Sequence, residues 1–351
     1  MSRLLDIGEG GATYAAAGVN IDAGDEAVER IKSAVASTAR PGVMSDFGGF
    51  GGSFDLSALG FVRPVLVSSA DGVGTKLEVA RLAQRFDGVG HDLVAMLVDD
   101  LVCVGAEPLY LLDIITVGKV IPERIESIVT SIADGCRRAG VALIGGETAE
   151  HGGVMGPDDI DVAGFAVGAL EAGTEIGAHR VREGDALVGF ASPGIRSNGY
   201  TLARSVMLRD RSLNDPAWEG ATSSVADELL RPSVIYSPAM NEIRRALGPS
   251  LHAAAHITGG GILGNVPRML PDHLDAVIDL DAFDTPEIFF EIQRRGQVAT
   301  AEMLRVFNCG LGMVVALEPT KVDEALLAAR RHGVTATLVG QIVSGSRKVR
   351  V

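Results

Sequence analysis

Short apolar runs in this chain break off, again and again, into polar glycine-rich segments, and helical patterns fill the stretches between them. Pro64 to Ala70 (PVLVSSA) runs into Asp71-Gly72-Val73-Gly74-Thr75-Lys76, and His252 to Ile257 runs into Thr258-Gly259-Gly260-Gly261. Such a pattern confines the chain to a mixed fold of strands and helices, with loops at the strand ends that a ligand backbone can approach closely.

In the first half, apolar periodicity predicts helices over Ile21–Ala39, Gly90–Gly105 and Pro122–Ala139. Strands are predicted at Pro64–Ala70, Tyr110–Val117, Val141–Ile144 and Asp161–Leu170. Glu171 to Asp185 is polar, turn-rich and without a period, so a domain boundary is placed there, dividing the chain into 1–171 and 172–351. A second alternation follows. Strands are expected at Ala186–Ala191, His252–Ile257, Leu274–Ile278, Leu311–Ala316 and Thr335–Val343. Helices are expected from about Asn198, and at Ser237–Leu247, Pro286–Arg295 and Val322–His332. The class is α/β (α+β), with helices on one face of a sheet in the first half.

Composition narrows the function. Net charge is −14, which excludes nucleic acid as a general partner because phosphate backbones need a basic footprint. Phosphorylated small molecules stay open, since a few Lys, helix N-termini and Mg²⁺ can reverse the field inside one cleft. Glycine accounts for 44 of 351 residues, which points to tight turns and close ligand approach. Cys103, Cys136 and Cys309 fit neither a disulfide frame nor a zinc site, and read as reduced thiols of a cytoplasmic protein. Met1–Gly18 has no apolar core of signal-peptide length, and no run reaches a membrane span. Leu93 to Val104 comes nearest and carries Asp99 and Asp100.

Five segments carry chemistry. In Asp71–Lys76 two glycines would admit a phosphate, Lys76 would supply charge and Asp71 could hold Mg²⁺; a plain strand-to-loop turn is the other reading. Asp99-Asp100 sits in an apolar helix, where two carboxylates are costly unless paired or metal-bound, and the two point about 100° apart. Gly145-Gly146-Glu147-Thr148-Ala149-Glu150 is read as a strand exit whose carboxylates could hold metal. Ser197 or Asn198, after Arg196, could cap a helix whose N-terminus attracts anions. At Thr258–Gly261, three glycines leave backbone N–H groups free for phosphate; His256 beside them could titrate near neutrality or simply pack. Asn308 is a smaller signal of the same kind.

In this order, these segments resemble aminoimidazole ribonucleotide synthetase, the phosphoribosylformylglycinamidine cyclo-ligase family. The likeness runs from Tyr14 to about Val343. It includes Tyr14–Gly24, the Arg40–Gly52 loop, Gly105-Ala106-Glu107-Pro108, Asp161-Val162-Ala163-Gly164, Ser197-Asn198-Gly199-Tyr200, Arg231-Pro232 with Tyr236, and Phe307-Asn308-Cys309-Gly310.

The resemblance implies a homodimer in which N-terminal strands form a shared β-barrel beside a C-terminal α/β domain. It implies ATP-dependent, Mg²⁺-dependent ring closure of formylglycinamidine ribonucleotide to aminoimidazole ribonucleotide. Lys32, Asp71, Lys76 and His256 are expected to be catalytic. ATP or phosphate contacts are expected from Gly48, Gly49, Gly51, Gly72, Gly74, Thr75, Gly145, Gly146, Arg196, Ser197, Asn198, Gly199, Thr258, Gly259, Gly260, Gly261 and Asn308. Metal is assigned to Asp71, Asp99, Asp100 and Glu147.

Four departures fall inside motifs. Asp99 stands where the family has Asn, His151-Gly152 where it has Met-Pro, Arg196 where it has His, and Val306 where it has Thr. The alternative reading is a divergent relative that uses ATP to activate another amide, carboxylate or phosphate acceptor. Arg196 is expected to grip a phosphate, since a guanidinium that stays charged cannot shuttle protons.

Overall fold

The computed structural model describes residues 12–44 and 48–351. Part of the Met1–Gly18 stretch and the middle of the Arg40–Gly52 loop lie outside the described residues.

The first half contains α1 (Ile21–Ala36), β1 (Pro64–Gly72), α2 (Lys76–Ala83), α3 (Val89–Cys103), β2 (Glu107–Val117), α4 (Pro122–Ala139), β3 (Ala142–Glu150) and β4 (Ile160–Glu171). Its strands form one sheet in the order β1-β4-β2-β3. Only the β2–β3 pair is parallel. The second half contains β5 (Ala186–Ala191), α5 (Tyr200–Met207), α6 (Val225–Leu229), α7 (Ser237–Leu247), β6 (Leu251–His256), α8 (Gly261–Asn265), β7 (Leu274–Ile278), α9 (Glu287–Gly296), α10 (Thr300–Val306), β8 (Leu311–Leu317), α11 (Val322–Arg331), β9 (Ala336–Ser344) and β10 (Val349–Arg350). These strands make a second sheet, β10-β7-β9-β5-β8-β6.

Local chemistry explains the clearest elements. α4 starts on Pro122, whose fixed φ suits a first turn. It ends on Gly140 in the left-handed region, with Arg137 and Arg138 in the last turn where the dipole favours cations. β8 is buried at every position, as a strand covered on both faces must be.

α3 is the pivot of the molecule. It packs against β1, β2, β4 and α4 of its own half and against β6 and α7 of the other. Leu93 through Asp99 are all 0% exposed. The larger of two core clusters spans both halves, joining Leu93 and Leu97 of α3 to Leu187, Val314 and Ala316 of the second sheet and Ala203, Ile292 and Leu304 of its helices; the smaller packs α7 and α11 on the sheet's other face.

The first sheet is covered on one face as expected. Its other face is open and apolar, with Leu66 58%, Ile114 51% and Phe165 41% exposed. Among the described residues, no helix is long and apolar enough to cross a membrane.

The structure departs from the sequence reading in three places. β3 continues through Gly145–Glu150, so this segment is strand and not a loop after one. A Cβ on Gly146 would meet Asp113 Oδ1 at 2.0 Å, which explains the glycine without a ligand. α5 starts at Tyr200 and is capped by Gly199 at φ 82°, with no side-chain cap from Ser197 or Asn198. α2, α6, α8 and α10, of 5 to 8 residues, are too short to show two helical periods and were not expected.

Candidate functional site

α3, β1 and β6 meet where the two halves join. A cavity of about 420 Å³ opens there, lined by Ser69, Asp100, Cys103, His256, Asn265 and Arg268, among others. Three glycine-rich loops lie beside it. A Cβ on Gly74 would come within 3.8 Å of Ser197 O, and one on Gly259 within 3.4 Å of Asn198 Oδ1. Thr75 Oγ1 and Thr201 Oγ1 are 3.4 Å apart. The fold thus gathers Asp71, Gly72, Gly74, Thr75, Asp100, Ser197, Asn198, Gly199, His256 and the Thr258–Gly261 turn, residues far apart in sequence. Gly199 is obligatory for steric reasons: a Cβ there would meet Phe307 Cε1 at 2.4 Å, at a positive φ.

Two carboxylates face this region. Asp100 is 43% exposed along its side chain and pairs with His256 Nδ1 at 2.9 Å. Asp71 closes β1, and its Oδ1 accepts from Gly72 N at 2.7 Å. Burial raises the Asp71 pKa, the Gly72 N–H opposes this, and the neighbouring Asp100 charge adds to the rise. A cation at this position would favour the charged form of Asp71. Among the described residues, no three His, Cys, Asp or Glu side chains converge into a metal cage. Asp71 and Asp100 fit a Mg²⁺ that takes one or two carboxylates and keeps its waters and phosphates.

Several expected site residues lie elsewhere. Asp99 points away from Asp100, into the interface between halves. Its Oδ1 accepts from Tyr236 N (2.9 Å) and Ser237 N (3.0 Å), and its Oδ2 accepts from Arg196 Nη2 at 3.0 Å. Its oxygens are occupied by these donors, so it is not a metal ligand. Arg196, 2% exposed, makes no phosphate fork: it also donates to Val234 O at 2.8 Å and stacks 4.8 Å over the Tyr236 ring. Its backbone is left-handed, at φ 67°.

Lys76 is 0% exposed, with Nζ 2.5 Å from Asp92 Oδ2 and donating to Arg231 O at 2.8 Å. Asp92 Oδ1 accepts from Ser233 N (2.8 Å) and Oγ (2.6 Å). Lys76 is therefore an internal tie and offers no charge to a phosphate. Asn308, 3% exposed, donates to Gly194 O and Ile195 O at 3.0 and 3.1 Å and braces the turn before Arg196.

Lys32 sits on the solvent side of α1, paired with Glu29. Gly48, Gly49 and Gly51 lie in an exposed loop, and the neighbouring Gly52 packs on Ile144 of β3. Glu147 is on β3, linked by register through Ile114 and Ala163 to Gly72. Three strand spacings of about 4.8 Å separate it from the Asp71–Asp100 pair, as they do Gly145 and Gly146.

Asp92 was not expected. Its signal was present: Asp92 and Asp99 are seven residues apart, two helical turns, and so share one face of α3. Both bind the 233–237 segment, whereas Asp100 lies about 100° round and faces the cavity.

Residues 59–170 match the family described as "AIR synthase related protein, N-terminal domain", and residues 182–351 match "AIR synthase related protein, C-terminal domain". A phosphoribosylformylglycinamidine cyclo-ligase of Geotalea daltonii is 47% identical over 332 residues, 94% of each chain. The fold is similar to that of thiamine-monophosphate kinase from Stenotrophomonas maltophilia, with TM-score 0.67, 19% identity, and 93% and 95% of the two chains covered. It is also similar to the hydrogenase maturation protein HypE in complex with ATP, with TM-score 0.65, 18% identity, and 99% and 93% covered.

Proposed function

The chain belongs to the AIR synthase related family, and from that premise we propose that it is a phosphoribosylformylglycinamidine cyclo-ligase of purine biosynthesis. The observation that carries this reading is 47% identity to a protein of that name across 94% of both chains. An amide oxygen is a poor leaving group near neutral pH. Phosphorylation by ATP turns it into an iminophosphate, and the adjacent nitrogen then closes the five-membered ring with loss of phosphate. Such a site must align two phosphorylated molecules and neutralise charge.

Gly74 and Thr75, with the Thr258–Gly260 turn, are suited to phosphate oxygens through backbone N–H groups; those of Gly72 and Gly261 are taken by Asp71 Oδ1 and Thr258 O. Asp71 and Asp100 would hold Mg²⁺, which supplies charge neutralisation when bound. The division at 171/172 separates the half that carries both carboxylates from the half that supplies the opposing loops. The open face of Leu66, Ile114 and Phe165 supports a homodimer through the first sheet, because apolar surface of this kind is costly to leave in water. The protein would then act in the cytoplasm on a small phosphorylated substrate.

ADP release measured with and without formylglycinamidine ribonucleotide tests the reading. Release that requires this compound and yields aminoimidazole ribonucleotide is expected. Release indifferent to it would overturn the assignment.

A further inference from the structure

Four side chains form an unbroken polar chain through the interface between halves: Asp99, Arg196, His256 and Asp100. Asp99 and Arg196 are fully buried at 0% and 1% side-chain exposure, His256 at 2% on the cavity wall, and Asp100 at the far end, at 43%, opens into the cavity. Arg196 Nη2 lies 3.0 Å from Asp99 Oδ2 and 2.9 Å from His256 Nε2, and His256 Nδ1 lies 2.9 Å from Asp100 Oδ1.

Donor and acceptor counting fixes what each group must be. A guanidinium has only donors. His256 Nε2 must therefore accept and carries no proton, so the ring proton sits on Nδ1 and is donated to Asp100. Asp99 is surrounded by three donors with no acceptor among them, which matches its ionised form. That charge holds the guanidinium in place, and the Val234 carbonyl and Tyr236 ring fix its plane.

We propose that Asp99 and Arg196 act as one unit that locks His256 in its Nδ1–H tautomer, so that His256 orients Asp100 toward the cleft and transfers no proton itself. Both ring nitrogens are engaged with protein, leaving neither a free lone pair nor a free N–H for a substrate. Asp99, Arg196 and His256 are thus positioning residues, and the group presented to ligand is Asp100. The two departures from the family pattern at 99 and 196 become a single change, because each supplies the partner the other needs. The tautomer assignment holds whatever the substrate is; the kinetic part of the test rests on the cyclo-ligase reading.

The direct test is ¹⁵N NMR of the full-length protein labelled at histidine, with no ligand added. His256 is assigned among the seven histidines by its absence from His256→Gln, or by sequential assignment if that variant does not fold. One nitrogen in the protonated range, at Nδ1, and one in the unprotonated range, at Nε2, is expected. The opposite tautomer, or two protonated nitrogens, overturns the proposal.

The kinetic test is a double-mutant cycle. Asp99→Asn and Arg196→His alone each leave one buried charge unpartnered, and kcat should fall about 10–100-fold with little change in KM, the usual effect of losing an orienting partner. The double variant removes both charges and should regain most of kcat and of the melting temperature. Losses that simply multiply in the double variant refute the single-unit claim. His256→Asn, whose amide nitrogen approximates Nδ1, should keep turnover where His256→Ala does not. A folded, ligand-binding His256→Asn that is dead would return His256 to proton transfer. Failure of wild type to turn over the substrate, with the NMR result as expected, would sink the functional reading and leave the tautomer lock standing.

Discussion

Replacing Asp113 with Asn is expected to stabilise the protein by up to about 4 kcal/mol at pH 8 and to change little near pH 4. Asp113 lies on β2 beneath α1, 7% exposed. It lines a cavity of about 180 Å³ with Val28, Ile31, Val35, Val129 and Leu143. No side chain of a described residue donates to it; its own backbone N–H is the one group favouring the charged form, and burial pushes the carboxyl up to about 7 from 3.8.

The sign follows from proton counting. The unfolded chain releases this proton near its ordinary pKa and the folded chain only near 7, so between the two the native state binds more protons. Stability contributed by Asp113 therefore falls as pH rises through that window and is flat above it. A shift of about three units at 1.36 kcal/mol each gives ~4 kcal/mol, an upper figure if water enters the cavity on ionisation. Asp227, held down to about 2 mainly by the Ser224 backbone N–H, acts the other way, contributing stability that is lost as pH falls through its own range. The difference between variant and wild type isolates Asp113. Urea unfolding of both proteins from pH 5 to 8 reads it. A difference that stays within about 0.5 kcal/mol across that range would refute the reasoning, since Asp113 would then ionise as freely in the fold as outside it.

Lys76→Met strands Asp92 in the interior and should cost about 3–5 kcal/mol, seen as a lower melting temperature without ligand. Normal melting with lost ATP binding would instead mean that Lys76 leaves its pair to meet a phosphate. Asp71→Asn should abolish Mg²⁺-dependent ATP turnover while melting like wild type; wild-type turnover at equal Mg²⁺ would remove Asp71 from the metal site. Phe165→Asp on the open sheet face should shift the sedimentation profile from dimer to monomer, and an unchanged profile would place any dimer interface elsewhere. Gly199→Ala, forced against Phe307 at a positive φ, should lose at least ~1–3 kcal/mol of stability and reduce turnover by disturbing the Ser197–Tyr200 loop.

Local pattern determined a good deal. Helix α4 and strands β5 and β7 occupy the residues that periodicity and, for α4, the opening proline assigned to them, and α7 begins and ends as read. These are signals written within one or two turns, where propensity and burial agree. The order of the glycine-rich segments was likewise enough to point to the family. The sequence also held the statement that Asp99 and Asp100 cannot face the same partner, because adjacent helical residues diverge by about 100°.

What each carboxylate meets was decided by tertiary structure alone. Asp92, Asp99 and Asp100 stand on one helix within nine residues, yet one closes on Lys76 and Ser233, one on Arg196 and residues 236–237, and one on His256 at the cavity. Three of these partners lie 97, 141 and 156 residues away in the chain. Lys76 and Arg196 read as phosphate ligands because a cation beside a glycine-rich loop looks the same in sequence whether it turns outward or inward. Its direction depends on whether the opposing surface offers an anion in a place that excludes water. There, an unpaired charge costs far more than a surface ion pair returns. That surface is assembled only when α3 packs against both halves, so the sequence could supply the charged groups but not their partners.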